Sequence, residues 1–131
     1  MHEGLVDTSV VIDWDKPTVF AALPDVVMVS TVTLAELAAG PHLAHDPHER
    51  ARRQARLQQV ESLFDPLDFD VGAARSYGQV VAAVTAAGRS HRARVADLLI
   101  AAVAHAHALA LYTRNPRDFV GLSDLVTVIA V

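Results

Sequence analysis

Four short apolar runs that show no polar–apolar alternation limit the folds open to this chain. They are "GLV" (4–6), "VVMVS" (26–30), "LALYT" (109–113) and "LVTVIAV" (125–131). Runs of this kind suit strands buried on both faces, as in a parallel sheet with helices on either side. The stretches between them read as helices, so an α/β class follows from the alternation. No repeat, low-complexity tract or linker divides the chain, and residues 1–131 are expected to form one domain.

The helices have readable ends. Thr8–Trp14 reads as a helical turn, and "TLAELAAG" (33–40) as a helix stopped by Gly40 and Pro41. Asp46-Pro47-His48-Glu49 supplies an N-cap, a proline at the first helical position and an acid at the third, starting a helix that runs to about Phe64. "PLDF" (66–69) reads as a further short strand, 71–87 as an Ala-rich helix ending at Gly88, and 95–108 as another helix.

Composition excludes some chemistry. With no cysteine, the chain has neither a disulfide nor a thiolate, which suits a reducing, cytoplasmic setting. The longest purely apolar run, Leu98–Ala104, falls far short of the roughly 20 residues of a membrane span, and no leader peptide is expected at the N-terminus. A net charge of −4 argues against a general polyanion binder. The basic residues are nevertheless clustered, and all but Lys16 are arginine. Arg50, Arg52, Arg53 and Arg56 form one group, Arg89, Arg92 and Arg94 a second, Arg114 and Arg117 a third. Arginine suits bidentate phosphate contact, so local patches are compatible with a nucleic-acid substrate as well as with solvated faces.

In open parallel sheets, ligands bind beyond the carboxyl ends of the strands, where the strand order reverses. Four acids stand near such ends. Asp7 follows the first strand, and Glu36 lies about one helical turn after the second. Asp97 is the only polar residue between Val95 and Ala104, and Asp118 follows the strand 109–113 in "TRNPRDF". Each has a structural alternative. Asp7 would cap the turn after it, Thr33–Glu36 matches a capping box, Asp97 would complement a helix dipole or pair with Arg94, and Asp118 would make an Asx-turn or a cap. Four caps need not all fall on one rim of one sheet, however. Clustered carboxylates raise one another's pKa unless a cation neutralises them, and an oxygen-only donor set favours a hard ion such as Mg²⁺ or Mn²⁺.

Assembled in order, "LVDTSVVI", "VSTVTLAEL", "RVADLLIAAVA" and "LYTRNPRDF" cover the whole chain. With these segments the sequence resembles the PIN-domain family and, within it, the VapC-type toxin ribonucleases of bacterial toxin–antitoxin pairs. The resemblance implies a three-layer α/β/α fold and Mg²⁺- or Mn²⁺-dependent cleavage of RNA, with tRNA or another structured RNA among the targets. It also implies a homodimer and neutralisation by a cognate VapB-type antitoxin whose C-terminal segment wraps the toxin. Asp7, Glu36 and Asp97 match the family's acidic positions. Many relatives carry an acid where this chain has Asn115, so Asp118 is taken as the fourth acid and Asn115 as a polar contributor. Thr8, Ser9 and Thr113 are expected to orient carboxylates or waters. Asp7 and Asp97 are expected to hold metal directly, with Glu36 and Asp118 acting through water. A helical hairpin from about 46 to 87, carrying Val60, Leu63 and Phe64, is expected to form part of the antitoxin groove. The alternative is a catalytically silent PIN-like module that binds protein or RNA.

Other motifs carry less. His42, His45 and His48 surround two prolines and present no fixed helical face, and His105 and His107 are two apart on a helix. Asp13-Trp14-Asp15 imitates a phosphatase D-x-D but follows a helical turn rather than a strand, leaving Asp13 an expected surface residue.

Overall fold

The computed structural model describes all 131 residues. Strand β1 (Glu3–Val6) is followed by α1 (Thr8–Asp13), α2 (Pro17–Ala21) and β2 (Val26–Met28). Four longer helices come next: α3 (Thr31–Leu43), α4 (Pro47–Leu63), α5 (Val71–Ala86) and α6 (Val95–Ala106). The chain ends with β3 (Ala110–Thr113), a 3₁₀ turn (Pro116–Phe119) and β4 (Val128–Ala130). No helix is long and apolar enough to cross a membrane.

The sheet is entirely parallel, in the order β2-β1-β3-β4. Adjacent residues of one strand point to opposite faces, and both faces are covered. Leu5 and Leu111 join a core with Val80, Val84, Leu98 and Ile100, under α5 and α6. Val6 and Tyr112 join a second core with Val10, Trp14, Leu37 and Val60, under α1, α3 and α4. This is the expected three-layer α/β/α arrangement. From β1 the chain goes to β2 on one side and returns through four helices to β3 on the other. The strand order therefore reverses beside β1, whose carboxyl end delivers Asp7.

Four helices begin on a side-chain cap. Asp7, Ser30, Asp46 and Asp70 each accept a hydrogen bond from the backbone N–H three residues on, an interaction typically worth about 1 kcal/mol. The cap at Ser30 corrects one expectation: α3 starts at Thr31, and Thr33 donates its N–H to Ser30 Oγ, so Thr33–Glu36 is not a capping box. Nor does Gly40-Pro41 stop α3, which continues to Leu43. The last-turn carbonyls find donors on the next helix: Arg53 Nη1 reaches the Gly40 carbonyl at 2.9 Å and Arg50 Nε the Pro41 carbonyl at 3.2 Å. Those bonds replace what helix continuation would have supplied.

Three further expectations change. Segment 66–69 is not a strand. Leu67 makes a single parallel bridge to Ser30, and the Phe69 N–H turns to the hydroxyl of Thr31. The last strand is confined to Val128–Ala130. Residues 46–87 do not form a hairpin, because α4 packs on α3 and α5 on α6, across the sheet from each other. Val60 and Phe64 are accordingly core or near-core residues, with Phe64 stacked on Trp14 at 5.7 Å, while Leu63 is exposed. Helix α2 had no expectation attached to it.

Gly4 keeps the centre of the sheet closed. A Cβ there would come within 2.6 Å of Tyr112 Cδ1 and 3.0 Å of Pro24 Cγ. Overpacking of this kind costs about 1–3 kcal/mol, so Gly4→Ala is expected to lower Tm by several degrees in a thermal melt followed by circular dichroism.

Candidate active site

Asp7 leaves β1 through a backbone bond to the Tyr112 carbonyl at 3.0 Å, which extends the β1–β3 ladder by one residue. Its side chain is almost fully buried, 2 % exposed. Oδ1 accepts from Ser9 Oγ at 2.5 Å and from the Val10 N–H at 3.2 Å, so Asp7 is both a cap and a member of the strand-end cluster. Ser9 Oγ also accepts the Arg114 N–H at 3.0 Å and lies 3.5 Å from Thr113 Oγ1. Thr113 Oγ1 in turn accepts the Asn115 N–H at 3.0 Å. Burial raises the Asp7 pKa above the usual aspartate range, against the opposing hydrogen bonds from Ser9, Thr113 and Val10.

Glu36 sits in the second turn of α3 and is held by Thr8, whose Oγ1 lies 2.5 Å from Glu36 Oε1. Thr8 also lies 3.1 Å from Thr33 Oγ1. Thr8 Oγ1 is oriented to donate to either, but a hydroxyl has one proton, and the carboxylate takes it as the stronger acceptor. Thr33 is fully buried and belongs to the same chain of contacts; its place one turn before Glu36 was readable in the sequence, but only as a cap.

Asp97 lies in the first turn of α6, on a helix whose Leu98 and Ile100 are anchored in the core. Its carboxyl is pushed up to about 6, first by burial and then by the charges of Asp118, Asp7 and Glu36, with Arg94 opposing. The predicted quartet thus occupies one electrostatic neighbourhood. Asp118, on the 3₁₀ turn, pairs with Arg94 Nε at 3.0 Å; Arg94 pairs with Asp118 rather than with Asp97. Asn115 starts the same turn, is exposed, and contributes its backbone: its N–H goes to Thr113 and its carbonyl accepts the Asp118 N–H at 3.0 Å.

The carboxylates share a field without converging on a point. As arranged, no three His, Cys, Asp or Glu side chains anywhere in the chain stand close enough together to hold an ion, the His42–His48 group included. The donor chemistry still suits a hard divalent cation: oxygen ligands only, with Asp7 raised by burial and Asp97 by burial and then by its neighbours' charges. Two cavities flank the acids. A groove of about 830 Å³ between α1, α3 and α4 reaches them at Thr8 and Glu36, and a cleft of about 160 Å³ meets them at Arg94 and Asp118. Asp13, expected on the surface, is half-buried and pairs with Lys16 and Arg114 at 3.4 and 3.3 Å. His105 serves structure, its Nδ1 2.8 Å from Ser76 Oγ across α5 and α6.

The PIN domain family model matches residues 4–123. This chain belongs to the PIN-domain family. It is 37% identical to Ribonuclease VapC5 of Mycobacterium tuberculosis over 95% of this chain and 91% of that protein. Among solved structures, it resembles a member of the VapBC family of toxin–antitoxin systems, VapBC-5 of M. tuberculosis, with a TM-score of 0.80, 34% identity and full coverage of both chains. It also resembles FitAcB of Neisseria gonorrhoeae, with a TM-score of 0.77, 31% identity and 95% coverage of each chain. The acids of this PIN domain come from the end of β1, the early turns of α3 and α6, and the 3₁₀ turn after β3.

The raised Asp97 carboxyl has a consequence for stability. Folded, it titrates near 6; unfolded, near the ordinary aspartate value of about 4. The folded state therefore binds the proton more tightly, and the stability this group contributes is full below pH ~4 and lost as the pH rises through about 6. In EDTA, Asp97→Asn is expected to flatten the profile of Tm against pH between about 4 and 7 and to raise Tm near neutrality by a few degrees. A profile with the wild-type slope would refute the assignment.

Proposed function

We propose that this PIN domain is a Mg²⁺- or Mn²⁺-dependent endoribonuclease and the toxin of a toxin–antitoxin pair. The observation that carries the reading is the quartet itself: four acids from four chain segments near the switch point of a parallel sheet, where burial and then the charges of the other three raise the pKa of Asp97. The VapC names of the relatives support the activity and the pairing with an antitoxin.

A bound divalent cation supplies charge neutralisation and acidifies water. In this chain Asp7 and Asp97 would hold it. Ser9 fixes the Asp7 carboxylate through Oδ1, leaving Oδ2 for ligation. Glu36, aligned by Thr8, and Asp118 would hold or orient water beside it. No protein nucleophile is required. The antitoxin's C-terminal segment occupies the groove between α1, α3 and α4, where exposed Ile12 and partly buried arginines of α4 border Glu36. A basic side chain of that segment reaching Glu36 would block the acids. The homodimer and the RNA substrate, a tRNA or another structured RNA, belong to the same proposal.

One observation favours a silent binding module instead: Glu36 and Asp118 already have partners in Thr8 and Arg94. Titration of Mg²⁺ or Mn²⁺ into wild type and Asp7→Asn separates the two readings. At a hundredfold excess over Kd, wild type is expected to gain on the order of 10 °C in Tm and to cleave RNA. Asp7→Asn is expected to lose the shift and at least about a hundredfold of the cleavage rate. Identical responses in both proteins would exclude the metal site.

A further inference from the structure

Resting on the ribonuclease reading, we propose that the RNA backbone is bound by the arginine rim of the α5–α6 loop and the 3₁₀ turn, not by the arginines of α4. The two groups look equivalent in the sequence and differ in the structure. On α4, Arg52 and Arg53 both pair with Glu49, at 2.9 and 3.0 Å, and hold its carboxyl down to about 2. Arg56 pairs with Asp15 and lies 5.5 Å above the Trp14 ring, and Arg50 is bound to the Pro41 carbonyl. The groove these side chains line also contains Asp15, Glu36 and Glu49. A phosphate entering it would have to displace carboxylates already in place.

The rim is different. Arg89, Arg92 and Arg117 are exposed and have no carboxylate within ion-pair distance. Arg89 Nη1 donates to the Arg117 carbonyl at 3.0 Å, tying the loop to the turn that carries Asp118. Arg94, in the same loop, spends its charge on Asp118 and marks where rim and acids meet. The cleft of about 160 Å³ is lined by Arg89, Ser90, Arg94 and Asp118, so a phosphodiester chain seated on the rim arrives at the Asp118 edge of the quartet. Residues 88–94 and 114–121 hold no Trp or Tyr, Phe119 is buried, and His91 is half-buried. Stacking there falls to His91 alone, and recognition runs mainly through phosphate, with strong salt dependence.

The test uses the full chain and a labelled single-stranded RNA of mixed sequence. Kd is measured by anisotropy in EDTA over about 50–200 mM salt, and KM and kcat in Mg²⁺. The double variant Arg89→Gln/Arg117→Gln is expected to weaken binding about tenfold and to reduce the slope of log Kd against log salt by about 1.4, at roughly 0.7 per phosphate contact. Its KM should rise with kcat little changed. Arg89→Lys/Arg117→Lys, which keeps the charge, should retain most of the slope, and Arg52→Gln, at the most exposed of the paired α4 arginines, should bind RNA like wild type. A rim variant that binds and cleaves like wild type while the α4 variant is impaired overturns the proposal and leaves the ribonuclease reading standing. Loss of antitoxin capture with RNA affinity intact also overturns it, by assigning the rim to protein. A wild type that neither binds nor cleaves RNA removes the ribonuclease reading and the rim with it.

Discussion

A carboxylate buried at the end of a central strand is the constraint around which this structure is organised. Asp7 is withdrawn from water at the point where the sheet reverses its order, and an unsatisfied charge there would be costly. Ser9 and the Val10 N–H answer one oxygen. The same Ser9 hydroxyl accepts the Arg114 N–H and so pins the segment leaving β3. Arg114 then reaches Asp13 on α1 and the Val131 carbonyl at the end of the chain. One buried acid thus fixes the relation of α1, β3 and the C-terminus, and the hydroxyls "TS" after Asp7 have a structural duty whatever else they do.

The other three acids are held by devices of different strength. Asp97 stands where it does because the apolar helix beneath it has no other way to sit. Leu98, Ile100, Ala101 and Val103 are all buried, and any rotation of α6 that released the acid would expose them. Glu36 and Asp118 are held by single side chains, Thr8 and Arg94, neither of which is fully buried. The rigid pair and the adjustable pair correspond to the division between direct and water-mediated roles in the proposed mechanism. Burial first, and the charges of Asp118, Asp7 and Glu36 after it, raise the Asp97 carboxyl.

Much of this was legible in the sequence, and what was not has identifiable causes. Unalternated apolar runs marked the parallel sheet, and the acids at the run ends marked its rim. Local signals failed where a distant partner changed their meaning. Gly40-Pro41 reads as a helix stop, but α3 runs on to Leu43, and Arg50 and Arg53 of the next helix cover the carbonyls of its last turn. Thr33–Glu36 fits a capping box, but Ser30 holds the cap and frees Glu36 for Thr8. Pro66–Phe69 has the composition of a strand and finds room for only one bridge. Two consecutive helices suggest a hairpin, yet α4 and α5 pack on opposite faces of the sheet, which no pattern within either helix records.

The arginines show the same limit most clearly. Glu49 with Arg52 and Arg53 is spaced for pairing along one helix and could be read directly. Arg56 with Asp15, and Arg94 with Asp118, join segments far apart in the chain and become visible only once the fold is known. Clusters equal in composition therefore differ in the charge they leave available. A phosphate backbone responds to the unpaired fraction, because a guanidinium already sharing its donors with a carboxylate must give up that bond before it can release counterions from RNA. The acidic net charge of the chain and a nucleic-acid substrate are compatible for this reason: −4 is an average over the whole chain, whereas Arg89, Arg92 and Arg117 stand exposed and unpaired near Asp118.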